Sequence, residues 1–275
     1  VNIFVFLKTQ IPTMIKIGTS GYSFKDWLGT FYPSDLQPGK MLDYYQNYFS
    51  TVEINSTYYR LPHPKVFYNI AQKVPPNFDF MVKTHQTVTH KRKEIQQSMA
   101  DLFLAVDPLI QENKMKGFLA QFPYSFKLSE TNLKYLGELK NYSRAFPLYV
   151  EFRHSSWVKD EVFAFLRENR IGYVDVDEPP LKDLLPPQGL VTNGVSYIRF
   201  HGRNRKTWYD PESGDRYDYE YTLDELKEWL PLVEETAAAA SDTYLFFNNC
   251  HMGQAVKNAK MMRDLLKDQL NLEVI

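Results

Sequence analysis

A single closed (β/α)8 barrel of the TIM-barrel class is the fold this sequence predicts, and two observations carry the prediction. Eight short apolar stretches each end in a cluster of polar or aromatic residues: IKIGTSGY from Ile15, TVEINSTYY from Thr51, FDFMVKTH from Phe78, GFLAQFP from Gly117, LYVEFRH from Leu148, GYVDVDE from Gly172, SYIRFHGR from Ser196 and YLFFNNC from Tyr244. Most are separated by a segment of helical period, at spacings that fit right-handed βαβ crossovers and exclude simple hairpins. An open doubly wound sheet is the competing arrangement. Neither a GxGxxG nor a Walker-type phosphate loop is present.

Taken in order, TVEIN is followed by the helical pattern PKVFYNIAQKV, and FMVKT by a polar loop and then MADLFLAVDPLIQENK. SETNLKYLGELKN follows the fourth strand and SSWVKDEVFAFLRENR the fifth. After the sixth strand, EPPLKDLLPPQGLVTNG is too rich in proline for a full helix, which predicts an irregular connection. The seventh strand leads into HGRNRKTWYDPESGDRYDYEY, a polar aromatic excursion long enough to cover the barrel mouth as a lid. TLDELKEWL then opens on a Thr222 to Glu225 capping box, and MGQAVKNAKMMRDLLKDQL follows the eighth strand.

The chain has 275 residues, of which 44% are hydrophobic and 24% charged, enough for one barrel-sized core and unlike a disordered composition. The apolar run of residues 1–13 lacks the basic residues and cleavage site of a secretory signal and is too short to span a bilayer, and these residues read as a non-native or alternative leader because the first convincing strand begins only after Met14. Residues 14–275 form the single barrel domain. Lys plus Arg total 32 against 33 Asp plus Glu, so no global field draws the protein to nucleic acid or membrane, and any anion site is local. The lone cysteine, Cys250, rules out an internal disulfide and suits a reducing, cytoplasmic setting.

Side chains alternate between the two faces of a strand. If the aliphatic residues of each strand face the helices, the opposite face turns Glu53, Asn55, Lys83, His85, Glu151, Arg153, Asp175, Asp177, Arg199 and His201 into the barrel. Such an interior is charged, where an ordinary barrel is filled by branched apolar residues. Buried charges survive by pairing, so Glu53, Glu151, Asp175 and Arg199, the deeper members, read as a structural network as readily as a functional one. Asn55, Lys83, His85, Arg153, Asp177 and His201, nearer the carboxyl ends, fall on the face where this fold keeps its active sites.

The cations Lys83, His85, Arg153, His201 and Arg203 converge on that face and suit a phosphate or carboxylate. Lys91 to Lys93 and Arg205 to Lys206 read as solvated loops. Of the aromatics near strand exits, Tyr22 and Tyr58 suit a pocket wall, whereas Trp27 and Trp157 sit beside incipient helices and suit packing. Glu53, His85, Glu151, Asp177 and His201 are legal ligands for one divalent metal ion, although no HExxH, CxxC or dense histidine set occurs. Cys250 has no assignable activating partner and reads as a small buried residue.

GTSGYSFKDWLGTFYP, VEINSTYYRLP, FMVKTHQTVTH, LAQFPYSFK, VEFRHSSW, RFHGR and FFNN, in that order, resemble the YecE-like family, also called domain of unknown function 72. The resemblance runs from Ile15 to the end of the last helix and implies a TIM barrel without implying a reaction. It singles out Ser20, Tyr22, Glu53, Asn55, Tyr58, Tyr59, Lys83, Gln121, Glu151, Arg153, His201 to Arg203, Asn248 and Asn249. The segment before Met14 has no counterpart in it.

Three functions compete. The first is a phosphate-directed enzyme, a phosphodiesterase or nuclease-like hydrolase, in which Lys83, Arg153, His201 and Arg203 hold the anion. In it Glu53, Glu151 or Asp177 supplies the general base, and His201 completes the catalytic set. The second is a carbohydrate-active hydrolase using Glu53 with Glu151, which fails if both carboxylates are locked into cationic bridges. The third is a noncatalytic module for a nucleotide or nucleic acid, with salt-sensitive affinity. A phosphate-bearing small molecule or nucleic acid is the expected partner, and a membrane is not.

Overall fold

The computed structural model describes residues 14–210 and 215–275. The leader reading of residues 1–13 therefore lies outside the described residues, as do positions 211–214 of the excursion after the seventh strand. Eight strands run in chain order: β1 (Met14–Thr19), β2 (Thr51–Ile54), β3 (Asp79–Lys83), β4 (Met115–Gln121), β5 (Leu148–Glu151), β6 (Ile171–Asp177), β7 (Val195–Phe200) and β8 (Asp242–Phe247). Each starts within two residues of the apolar stretch that announced it. All pairs are parallel, in the order β1-β8-β7-β6-β5-β4-β3-β2. The result is a nearly closed (β/α)8 barrel with its helices outside.

The helices are α1 (Met41–Tyr45), α2 (Pro64–Lys73), α3 (Ile95–Gln111), α4 (Glu130–Tyr142), α5 (Asp160–Glu168), α6 (Leu223–Lys227), α7 (Leu230–Ala239) and α8 (Gln254–Leu270). Local chemistry starts several of them. Pro64 opens α2 at a position where no backbone donor is needed, and the Ser129 hydroxyl accepts from Asn132 N–H at the start of α4. The capping box expected at Thr222 and Glu225 is formed in full. No helix forms between β6 and β7. Among the described residues no helix is long and apolar enough to cross a membrane.

Ladder hydrogen bonds join every neighbouring pair of strands except β1 and β2. That seam is closed by a side chain of α1. The Tyr45 hydroxyl accepts from Thr19 N–H at 3.0 Å and donates to the Thr51 carbonyl at 3.1 Å. Gly18 permits the approach, since a Cβ there would lie 2.3 Å from the Thr51 oxygen. The chain's last residues pair with the start of β1 through Ile15 and Val274.

Aliphatic and aromatic residues of the strands pack outward under the helices, as Val52, Phe80, Phe118, Val150 and Ile198 show by complete burial. Inside, Tyr149 fills the lower lumen against Gly172, where a Cβ would stand 2.3 Å from its ring.

Candidate functional site

Polar side chains fill the lumen in tiers that follow the strands upward. Near the bottom, Lys16 Nζ is 2.5 Å from Asp79 Oδ2, which also accepts from the Tyr244 hydroxyl at 2.7 Å. In the middle, Arg199 donates through Nε to Glu53 Oε2 at 2.9 Å and through Nη2 to Glu53 Oε1 at 2.6 Å. Its Nη1 donates to Glu151 Oε2, and the Tyr197 hydroxyl donates to Glu53. Glu53, Glu151 and Arg199 are all buried. One guanidinium thus holds two carboxylates, the arrangement by which buried charges are tolerated.

The next tier faces the mouth. Arg153 Nη2 lies 2.6 Å from Glu151 Oε1 and 3.1 Å from His201 Nε2, while its Nη1 donates to Glu178 Oε2 at 3.0 Å. His201 Nδ1 meets Asn248 Nδ2 at 3.0 Å. Asn55 Nδ2 donates to Glu53 Oε1 at 2.9 Å, and its Oδ1 is buried without a hydrogen-bond partner among the described residues. Lys83 Nζ donates to Gln121 Oε1 at 2.7 Å and lies 4.8 Å from the centre of the Tyr58 ring.

These surroundings separate the titrating groups. Burial acts against the Glu151 carboxylate, but Arg153, Arg199 and His201 override it and hold the group well below the usual range. Glu178 goes the other way: burial pushes it up to about 7 in spite of Arg153. Burial and then Arg153 push His201 down to about 3, so its imidazole is neutral at pH 7. Lys83 keeps part of its surface accessible, yet burial of its head and the nearby Arg199 push its ammonium down to about 7, against the pull of Glu151 and Glu53. Among the described residues no carboxylate comes within ion-pair distance of Lys83 Nζ.

Above this tier a cavity of about 280 Å³ is lined by His90, Gln121, Tyr124, Arg153, Trp208, Tyr209, Arg216 and Tyr217, among others. The described part of the excursion after β7 supplies its roof. Trp208 lies 5.9 Å from the Arg153 guanidinium and 5.8 Å from that of Arg216, and Tyr217 stands 6.2 Å from the His201 ring. On the other wall a π-helical turn, Thr87–Lys91, brings His90 edge-on to Tyr58 at 5.1 Å. Burial, with Lys83 and Arg92, pushes His90 down to about 4. The cavity is polar, cationic and bounded by rings.

Of the residues expected at the site, Lys83, Gln121, Arg153, His201 and Asn248 stand together, with Tyr58, Glu53, Glu151, Asn55 and Ser20 adjoining them. Ser20 Oγ accepts from Arg199 Nη2 at 3.3 Å. Several others do not join. Asp177 and Arg203 face outward: Arg203 Nη2 donates to Asp177 Oδ2 at 2.7 Å, and Asp177 also accepts from the Tyr221 hydroxyl at 2.6 Å and from Trp229 Nε1 at 2.6 Å. Asp175 likewise leaves the lumen, accepting backbone N–H from Gln188, Gly189 and Leu190. The faces of β6 are reversed relative to expectation, so Val174 and Val176 point inward and Glu178 continues their row to Arg153. Asn249 is locked to the Tyr219 carbonyl and to Asn258. His85 turns to Thr87 at 2.7 Å. Tyr22 opens instead on a second, mostly apolar cavity of about 330 Å³ with Phe24, Ile54, Asn55, Tyr59 and Val66.

The five ligands named for a divalent metal are therefore not assembled, and among the described residues no group of three or more His, Cys, Asp or Glu side chains is placed to hold an ion. The Glu53 and Glu151 pair is locked onto Arg199, which removes the carboxylates a glycosidase needs. Trp27 and Trp157 pack in the core, each indole donating to a backbone carbonyl, of Cys250 and Phe126 respectively. Cys250 is half-buried, with its thiol pushed up by burial. Lys91, Arg92, Lys93, Arg205 and Lys206 are exposed. Glu178, Tyr197 and Tyr217 belong to the site and escaped the sequence reading. Tyr197 had a signal, since it shares a strand face with Arg199 and His201.

Comparison with known proteins places this geometry among relatives. The family model described as "Protein of unknown function DUF72" matches residues 16–273. The UPF0759 protein YunF of Bacillus subtilis (strain 168) is 30% identical over 270 residues, 92% of this chain and 95% of that protein. A DUF72 family protein, TM1631 of Thermotoga maritima MSB8, has a crystal structure that superposes with a TM-score of 0.86 at 42% identity, covering 93% of this chain and 100% of that one. The structure of a second, EF0366 of Enterococcus faecalis V583, gives 0.82 at 26% identity, covering 92% and 96%.

Proposed function

The chain belongs to the DUF72 family of proteins of unknown function, and from that premise we propose that it binds a phosphate-bearing small molecule at the carboxyl end of its barrel. The observation that carries this reading is Lys83. Each of the other charged lumen cations has a carboxylate: Lys16 has Asp79, Arg199 has Glu53 and Glu151, and Arg153 has Glu151 and Glu178. Among the described residues Lys83 has the neutral Gln121 and the Tyr58 ring and no carboxylate. An ammonium held beside two guanidinium groups without a counterion is an anion site by electrostatics.

The rest of the cavity suits such a ligand. Arg153 and Arg216 border it, Trp208 and Tyr217 offer ring faces to a sugar or base attached to the phosphate, and Tyr58 stands behind the wall against Lys83 and His90. Hydrolysis of a phosphate ester would call on Glu53, Glu151 or Asp177 as base. The first two are neutralised by Arg199, and the third faces the outer layer. The proposal is accordingly a binding site in which, among the described residues, Lys83 is an amine that titrates near neutrality without a carboxylate partner, whereas Glu178, raised to a similar value, is held by Arg153.

Isothermal titration with inorganic phosphate and with a nucleoside monophosphate tests it. Saturable binding is expected, weakened about tenfold or more in Lys83→Met, since a charged hydrogen bond is worth roughly 1.5–3 kcal/mol. Lys83→Arg should retain most of the affinity. Absence of binding to either probe, or equal affinity in Lys83→Met, would overturn the reading.

A further inference from the structure

We infer that Lys83 is a nucleophilic amine whose Nζ forms an imine with the carbonyl carbon of a phosphorylated aldehyde or ketone seated in the mouth cavity. This rests on the anion-site reading and goes beyond it, because it assigns the ligand a reactive group. Two lysines of the strands, Lys16 and Lys83, stand in contrast. Lys16 sits low in the lumen against a carboxylate, with its Nζ 2.5 Å from Asp79. Lys83 is the last residue of β3, at the carboxyl end of the barrel, without a carboxylate at ion-pair distance among the described residues, and its neighbour Gln121 lines the mouth cavity. Among the described residues its hydrogen-bond acceptor is Gln121 Oε1, a lining residue of the cavity, so the amine stands one side chain behind the cavity wall and reaches a ligand there when Gln121 gives way.

The surroundings suit the chemistry. Burial and Arg199 push the ammonium down to about 7, so a free lone pair is available in neutral solution, as for lysines that form Schiff bases. The lone pair attacks the carbonyl carbon, a C–N bond forms, and the carbonyl oxygen takes a proton. Loss of that oxygen as water, with nitrogen supplying the electron pair, leaves a protonated C=N. Overall, amine, carbonyl and one proton taken up from solvent give iminium and water with no change of oxidation state. The iminium charge then occupies the place of the ammonium, 4.8 Å from the Tyr58 ring centre, where a cation is favoured. The phosphate of the same molecule faces Arg153 and Arg216, which line the cavity.

The test is reductive trapping. The full chain is incubated with dihydroxyacetone phosphate and sodium cyanoborohydride at pH 7, and the adduct is located by intact mass and peptide mapping. One adduct at Lys83 is expected, formed roughly a hundredfold faster than at surface lysines, which are almost wholly protonated at that pH. Inorganic phosphate should suppress it, and Lys83→Arg, checked for folding by circular dichroism, should abolish it. Labelling spread over surface lysines without preference for Lys83 overturns the inference. If phosphate still binds by calorimetry in that case, the anion site stands and the imine alone falls. If dihydroxyacetone labels Lys83 as fast as its phosphate does, and phosphate does not bind, the nucleophile stands and the anion reading falls.

Discussion

Arg199 is the residue on which the interior turns, because its single guanidinium neutralises Glu53 and Glu151 at once. Replacing it by methionine strands two buried carboxylates, and a loss of about 3–5 kcal/mol in denaturant unfolding is expected. Adding Glu53→Gln to that variant should recover part of the loss. A variant as stable as the parent would show that the network is solvated. His201 makes a pH-dependent contribution of the opposite kind. Its folded-state value, about 3, lies below the ordinary one, so as pH falls below about 6.5 the unfolded chain takes up the proton first and stability is lost. Asp175 and Glu178, raised by burial to about 6 and about 7, run the other way over neighbouring pH values. The His201 share is therefore read by difference: between pH 7 and 5, His201→Asn should lose about 2 kcal/mol less than the parent.

Alternation along a strand separates two faces without saying which is inside, and the outcome differed between strands for a physical reason. In β2, β3, β5 and β7 the outer face lies under apolar helices, so the aliphatic row goes out and the charged row goes in. No helix follows β6, and the loop that covers it presents backbone donors. Asp175 serves those donors, Asp177 serves Tyr221, Trp229 and Arg203, and the valines turn inward. The proline-rich connection was legible in the sequence; its consequence for β6 required knowing what packs on it. The seam between β1 and β2 was not legible, because it depends on one hydroxyl brought in from α1. Tyr45→Phe leaves Thr19 N–H and the Thr51 carbonyl without that partner and should cost about 1–3 kcal/mol. Gly18→Ala should cost more, because its Cβ meets the Thr51 carbonyl at 2.3 Å. Hydrogen exchange at Thr19 should accelerate in Tyr45→Phe, and an unchanged rate would mean that the seam is held otherwise.

Across the whole molecule the charges nearly cancel, with 32 Lys and Arg against 33 Asp and Glu, and that balance conceals how they are distributed. The lower lumen pairs its charges internally, while the carboxyl end of the barrel carries a lysine that has no carboxylate at ion-pair distance among the described residues, below a cavity of rings and arginines. Sequence parity found most of the cationic members, and pairing decided which of them remained available. Lys83 is the lumen cation left without a carboxylate among the described residues, and the pH dependence of sulfate affinity tests this most directly, because sulfate keeps its charge throughout the range. Below about 7 Lys83 is an ammonium and attracts the anion; above it the proton is lost. Affinity measured by calorimetry should therefore fall as pH rises through about 7 in the parent protein and stay flat in Lys83→Met. A parent affinity that is flat or rises across neutrality would contradict the account.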